Sequence, residues 1–178
     1  YARPFTVRTA TAREIPAQKD VTEAVGGSLK GCRIGFDLGA SDYKVAAVKD
    51  GEVLYSDEFP WNPKDQPDPG YHYTHIRKGL EEAAKHLPRV DGIGGSTAGV
   101  VVGNQFRIAS LLRSIPPARM AEAAGIFNRL AREWNVPFVV LNDGDVSALA
   151  GALSLGSNGI LGIALGSSEA GGFIDIEG

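Results

Sequence analysis

The chain has 178 residues, 43% of them apolar, and a formal net charge of −3. That is enough for one good core or two small ones, and the weak negative charge leaves no electrostatic footprint for nucleic acid. No apolar run approaches the roughly 20 residues of a membrane helix. No signal peptide is visible. The single cysteine, Cys32, excludes an internal disulfide and fits a reducing, cytoplasmic compartment.

Residues 1–30 hold five basic and three acidic residues with weak periodicity. They read as an arm or linker with a short helix around Lys19 to Val25. Strand-like runs follow at 32–37, 43–49 and 52–59, and the Asp-Gly of "KDGE" between the last two is a hairpin-turn signal. "PWNPKDQPDPG" (60–70), with four prolines, is a loop. A helix is expected from Tyr71 to Leu87, with Ile76, Leu80, Ala83, Ala84 and Leu87 on one face. "VDGIGGSTAG" (90–99) reads as a short strand entering a glycine-rich loop, and "VVVGNQFRIA" (100–109) as a hairpin. "PPARMAEAAGIFNRLAREWN" predicts one long helix: proline suits its first turn, and Met120, Ala123, Phe127, Leu130 and Trp134 repeat by three and four. "VPFVVLND" predicts a buried strand, "VSALAGAL" a helix, and "GILGIALGSSEAGGFIDIEG" two strands around a Gly/Ser turn. Three antiparallel strands followed by alternating helix and strand predict a mixed α/β sheet with helices on its faces. The final strands suggest that a second domain begins there.

Three stretches carry chemistry. In "DLGAS", a tight turn after the first strand exposes backbone N–H groups. Gly39 permits close approach of a phosphate, Ser41 adds a hydroxyl, and Asp37 could hold Mg²⁺ as a hard oxygen ligand; an ordinary capped hairpin fits as well. "LGSSEAGG" could cradle another phosphate through its N–H groups, or be a plain hairpin turn. In "VVLNDGDVSALAG", Asn142 and Asp143 sit where a strand ends and a helix begins. A negative charge is favoured at that helix end, so Asp143 is a candidate general base. The competing reading makes Asp143 or Asp145 an N-cap. The clustered glycines suit either close approach to a ligand or tight turns.

Taken together, two Gly/Ser turns flanking an Asp at a strand-to-helix corner resemble the actin-like (ribonuclease H-like) sugar kinases, and more closely the ROK family. "IGFDLGASDYK" resembles that family's first phosphate loop, usually Asp-x-Gly-Gly-Thr-Lys. "VDGIGGSTAGVVVGN" resembles its sugar loop, "VPFVVLNDGDVSALAGA" its catalytic Asn-Asp segment, and "GIALGSSEAGGFI" its second phosphate loop. The similarity covers residues 32–178, the N-terminal half of such a kinase. It implies a five-stranded mixed sheet in a first domain at 31–141 and a second, similar domain beginning at 142–178. It also implies ATP-dependent, Mg²⁺-assisted phosphorylation of a sugar hydroxyl. In that picture Asp143 is the base and Asn142 a sugar ligand, while Ser96, Thr97 and Gly99 line the sugar site. Asp37, Gly39 and Ser41 face phosphate and Mg²⁺, and Gly166, Ser167 and Ser168 face the nucleotide phosphates. The partners expected are a sugar and a nucleotide, with no membrane and no nucleic acid. An apolar interdomain face favours self-association, so a homodimer is expected. Residues 1–178 alone are expected to turn over no substrate.

The chain departs from the family pattern. Ala40-Ser41-Asp42 stands where Gly-Thr-Lys is usual, with Lys44 a candidate to offset Asp42. Ala98 replaces a proline, and Ser167-Ser168-Glu169 alters the second phosphate loop. Two other readings therefore stay open: a sugar-sensing regulator or degenerate paralogue without catalysis, and a different actin-like ATPase. His72 and His75 read as solvated surface residues and Trp61 as a loop anchor. Arg107, Arg113 and Arg119 read as a solvated face.

Overall fold

Alternation of apolar and polar side chains builds the first sheet. In strand β1 (Cys32–Leu38), Ile34, Phe36 and Leu38 point to the core while Gly35 and Asp37 point away. A computed structural model describes residues 6–15, 29–165 and 169–177 of the chain; the expected helix around Lys19 to Val25 lies outside them. Strand β2 (Asp42–Lys49) pairs antiparallel with β1 and with β3 (Glu52–Pro60). The β2–β3 turn has positive φ at both Asp50 (51°) and Gly51 (87°), the primed turn that Asp-Gly predicts.

Helix α1 (Pro69–Ala84) starts earlier than its periodicity suggests, because Asp68 caps it by accepting from the Gly70 N–H and proline fills its first position. The early start corrects the reading of His72. Its ring lies in the first turn on the inward face, 2% exposed, with Nε2 2.9 Å from the Leu111 carbonyl oxygen. His75 is half-buried against the Tyr71 ring. Trp61 anchors the proline-rich loop as expected, buried with its indole N–H donating to the Gly39 carbonyl.

Strand β4 (Gly92–Thr97) runs parallel to β1, and β7 (Phe138–Asn142) parallel to β4, giving the order β3-β2-β1-β4-β7. Between β4 and β7 lies a separate hairpin, β5 (Val100–Val102) and β6 (Gln105–Ile108). The single long helix expected there is two: α2 (Met120–Ala124) and α3 (Ile126–Trp134), preceded by a single turn at Pro117–Arg119. Gly125 divides them at φ −89°, ψ 4°. Phe127 and Leu130 are fully buried after the break, Phe127 against Phe106 and Phe36, as is Ala123 before it, while Met120 stays exposed and Trp134 half-buried. The core thus lies between the sheet and α1–α3. The opposite face holds an open groove of about 560 Å³ lined by Gly35, Asp37, Lys44, Ala46, Ser56 and Glu58, among others.

Helix α4 (Asp143–Leu155) leaves the end of β7 and packs on an antiparallel hairpin, β8 (Ile160–Leu165) and β9 (Glu169–Ile174). Backbone meets backbone there: a Cβ on Gly162 would overlap Ala148, and one on Gly172 would overlap Asp145. These glycines serve helix-on-hairpin contact. The outward side of the hairpin exposes Leu161, Ile163, Leu165 and Phe173. No helix among the described residues is long and apolar enough to cross a membrane.

Candidate functional site

The carboxyl ends of β1, β4 and β7 lie side by side. Leu38 is in register with Thr97, and Thr97 with Asn142. Ligands of open α/β sheets gather outside this end of parallel strands. The topology therefore brings Asp37, Ser96, Thr97, Gly99, Asn142 and Asp143 to one sheet edge, although they span more than 100 residues of sequence.

Asp37 occupies the middle of a cross-strand row, with Lys44 on one side and Ser96 on the other. The buried Ser96 hydroxyl donates to its carboxylate. A half-buried carboxylate at a strand end is thereby partly satisfied within the protein. Among the described residues, no cluster of three or more His, Cys, Asp or Glu could hold a metal ion. One carboxylate beside a hydroxyl still fits Mg²⁺, which keeps waters and takes most other ligands from substrate phosphates.

The turn after β1 is more committed than its sequence suggests. The Gly39 N–H donates to the Asp42 carbonyl at 3.0 Å, and the Ser41 hydroxyl donates to the Asp42 carboxylate at 2.9 Å. Trp61 closes the turn from outside through its backbone N–H to the Ser41 carbonyl and its indole N–H to the Gly39 carbonyl. Lys44 Nζ lies 2.9 Å from Asp42, so it does offset that charge. The Lys44 ammonium, and then the Ser41 hydroxyl, hold the Asp42 carboxyl below the usual aspartate range.

In the loop after β4, Thr97 is fully buried and its hydroxyl reaches only its neighbour's carbonyl, on Ala98. Gly99 turns the chain at φ 100° and its carbonyl accepts from Asn142 Nδ2 at 2.7 Å. Asn142 is the helix cap that the sequence had offered to Asp143 or Asp145: its Oδ1 accepts from the Gly144 N–H at 2.9 Å. With the cap supplied by Asn142, Asp143 stands at the first helical position, half-buried, with one contact to the Gly144 N–H at 3.1 Å. Asp145 lies one turn-half further on. Loss of hydration on burial, and then the Asp143 carboxylate, push its carboxyl above the usual range. Gly166, Ser167 and Ser168 lie outside the described residues; the strands they join pair up to Leu165 and Glu169.

Sequence reasoning did not single out Asn104. It sits in the two-residue β5–β6 turn, and its side chain bonds the backbone of β7 at both Phe138 and Val140. The Gly-Asn pair between two apolar runs was its available signal.

No protein-family model matches the sequence, and no curated protein sequence matches it. Solved structures do match in shape. An inorganic polyphosphate/ATP-glucomannokinase from Arthrobacter sp. strain KM superposes with TM-score 0.63 at 22% identity, over 83% of this chain and 59% of that one. The fold is that of the ROK sugar kinases. A ROK hexokinase from Thermus thermophilus matches with TM-score 0.61 at 17% identity, over 81% of this chain and 46% of that one. A ROK family transcriptional regulator, homologous to the E. coli MLC protein, matches with TM-score 0.62 at 19% identity, over 84% and 38%. The chain spans about half the length of the structures it matches.

Proposed function

We propose that the chain is part of a ROK-family sugar kinase that transfers the γ-phosphoryl group of ATP to a sugar hydroxyl. The supporting observation is the convergence of Asp37, the Ser96–Gly99 loop, Asn142 and Asp143 at the carboxyl ends of three parallel strands, within a fold shared with such kinases. In this reading residues 31–141 form one lobe and 142–178 begin the next, with substrates held between them.

Each residue then has a task. Asp143 accepts the proton of the attacking hydroxyl; it shares the Gly144 N–H with the capping Asn142 at the longer distance, through one oxygen, so its other carboxylate oxygen serves as the base. Asn142 and the 96–99 loop set the sugar's position, and the carbonyl of Gly99 is fixed for this by its bond from Asn142. Asp37 would hold Mg²⁺, which when bound neutralises phosphate charge. The turn at Gly39 and Ser41, and residues Gly166, Ser167 and Ser168, would face the phosphates. A single cysteine that is buried suits a reducing cytoplasm.

The test is Asp143→Asn in the protein, assayed with ATP and a hexose. Turnover should fall by about 10²–10⁴-fold, with sugar affinity changed far less. Undiminished turnover would remove Asp143 from the mechanism. A second reading, sugar sensing without catalysis, is favoured by the internal commitment of the Gly39 N–H and the Ser41 hydroxyl. Sugar binding with no ATP turnover in the unmodified protein would select it.

A further inference from the structure

The hairpin β5–β6 carries the chain onward from the candidate sugar loop, yet it pairs with no strand of the main sheet. Its turn is the two residues Gly103 and Asn104, with φ 58° and 56°. Asparagine is one of the few side-chain-bearing residues that accept that conformation. From there the Asn104 carboxamide reaches the outer edge of β7. Its Nδ2 donates to the Phe138 carbonyl at 2.6 Å, and its Oδ1 accepts from the Val140 N–H at 2.8 Å. One side-chain amide thus occupies the place of a peptide group in a further strand. It satisfies an edge that would otherwise present open donors and acceptors. Asn128 on α3 steadies the same turn through the Gly103 carbonyl at 3.4 Å.

The other end of the hairpin is tied to the same strand: Asn142 Nδ2 holds the Gly99 carbonyl. The segment from Gly99 to Asn104 is therefore fastened to β7 at two points. Each point is an asparagine amide on a backbone group, and β7 is the strand that delivers Asn142 and Asp143.

We infer that Asn104 is a positioning residue. Its amide clamps the β5–β6 hairpin to β7 and so fixes the Ser96–Gly99 loop relative to Asn142 and Asp143. It touches no substrate. The role in sugar affinity rests on the kinase reading above; the clamp itself does not.

The experiment uses Asn104→Gly, which keeps the positive φ without strain and removes both bonds, with Asn104→Asp beside it. The aspartate keeps the acceptor for the Val140 N–H and loses the donor to Phe138. Two readouts are taken on the whole protein: amide hydrogen exchange, and steady-state kinetics with glucose and ATP. Exchange at Val140 and across 99–102 should speed at least tenfold in Asn104→Gly and by less in Asn104→Asp. The glucose KM should rise about tenfold, as expected for losing two part-buried hydrogen bonds that hold a loop, with the ATP KM unchanged. Unchanged exchange across 99–102 overturns the clamp. Faster exchange with an unchanged glucose KM overturns the positioning role. An unmodified protein that neither binds nor phosphorylates sugar refutes the kinase reading, while the exchange readout still decides the clamp.

Discussion

Asp42 engages two neighbours at once, accepting from the Ser41 hydroxyl and from Lys44 Nζ. The sequence showed an acid beside a proposed phosphate turn and a lysine two residues later that could face either way. Only the pairing of β1 with β2 decides the matter, because it sets Lys44 opposite Asp37 and within reach of Asp42. Asp42→Asn should remove a like charge from the phosphate approach and loosen Ser41. ATP affinity should rise by about fivefold at low salt, with the gain shrinking as ionic strength increases; equal affinities at both salt levels would separate Asp42 from the nucleotide. The pH dependence has a definite sign. A carboxyl whose folded pKa is depressed stabilises the fold above its unfolded value, near 3.8 for aspartate, and loses that contribution as pH falls through the lower folded value. Urea midpoints of the Asp42→Asn variant and the unmodified protein should therefore differ at neutral pH and converge in acid. His72 shows the reverse limit of legibility. Its place at a loop-to-helix entry suggested surface, and only the start of α1 at Pro69 turns it inward to Leu111.

Helix α4 and the hairpin β8–β9 illustrate what a glycine count conceals. The sequence read clustered glycines as ligand approach or turns, whereas Gly162 and Gly172 let a helix backbone lie directly on a strand backbone. Gly162→Ala or Gly172→Ala should destabilise by about 1–3 kcal/mol through overpacking, measured by chemical denaturation. Gly125 is different: it breaks α2 from α3 at a negative φ, and a Cβ there would meet only ordinary contacts, 3.5 Å from the Ala121 carbonyl oxygen. Gly125→Ala should be neutral or stabilising by up to about 1 kcal/mol. A large loss would mean that the break between α2 and α3 itself requires glycine. Asp145 adds a pH signature to α4. Its carboxyl pKa is raised by desolvation on burial and by the Asp143 charge, so its ionisation opposes folding once the pH exceeds its unfolded value. Asp145→Asn should stabilise the protein at neutral pH, with the difference vanishing as pH falls below about 3.8. The periodicity that predicted one long helix was sound for Phe127 and Leu130. It could not register the break at Gly125, which leaves the apolar spacing unchanged.

At the scale of the whole molecule, the mixed sheet type was legible because the alternation in β1 and β2, the Asp-Gly turn and the helix signals are local. The strand order across the sheet was not, since it rests on parallel pairing of β1 with β4 and of β4 with β7, strands far apart in sequence. The site was legible in part. Asp37, Ser96, Asn142 and Asp143 announce themselves as polar residues at strand ends, and the fold gathers them. The tie from Asn142 to Gly99 and the Asn104 clamp were not, since each links backbone and side chain across tens of residues, 43 for the Gly99 bond and 36 for the bond from the Val140 N–H. The central claim is that this strand-end cluster is a sugar pocket. Its most direct test is a crystal structure of the protein grown with a hexose. The account predicts the sugar ring between the 96–99 loop and Asn142, with one hydroxyl within hydrogen-bond distance of the Asp143 carboxylate. A hexose bound instead in the groove beside Lys44 and Glu58, or a strand-end cluster left empty at saturating sugar, would contradict it.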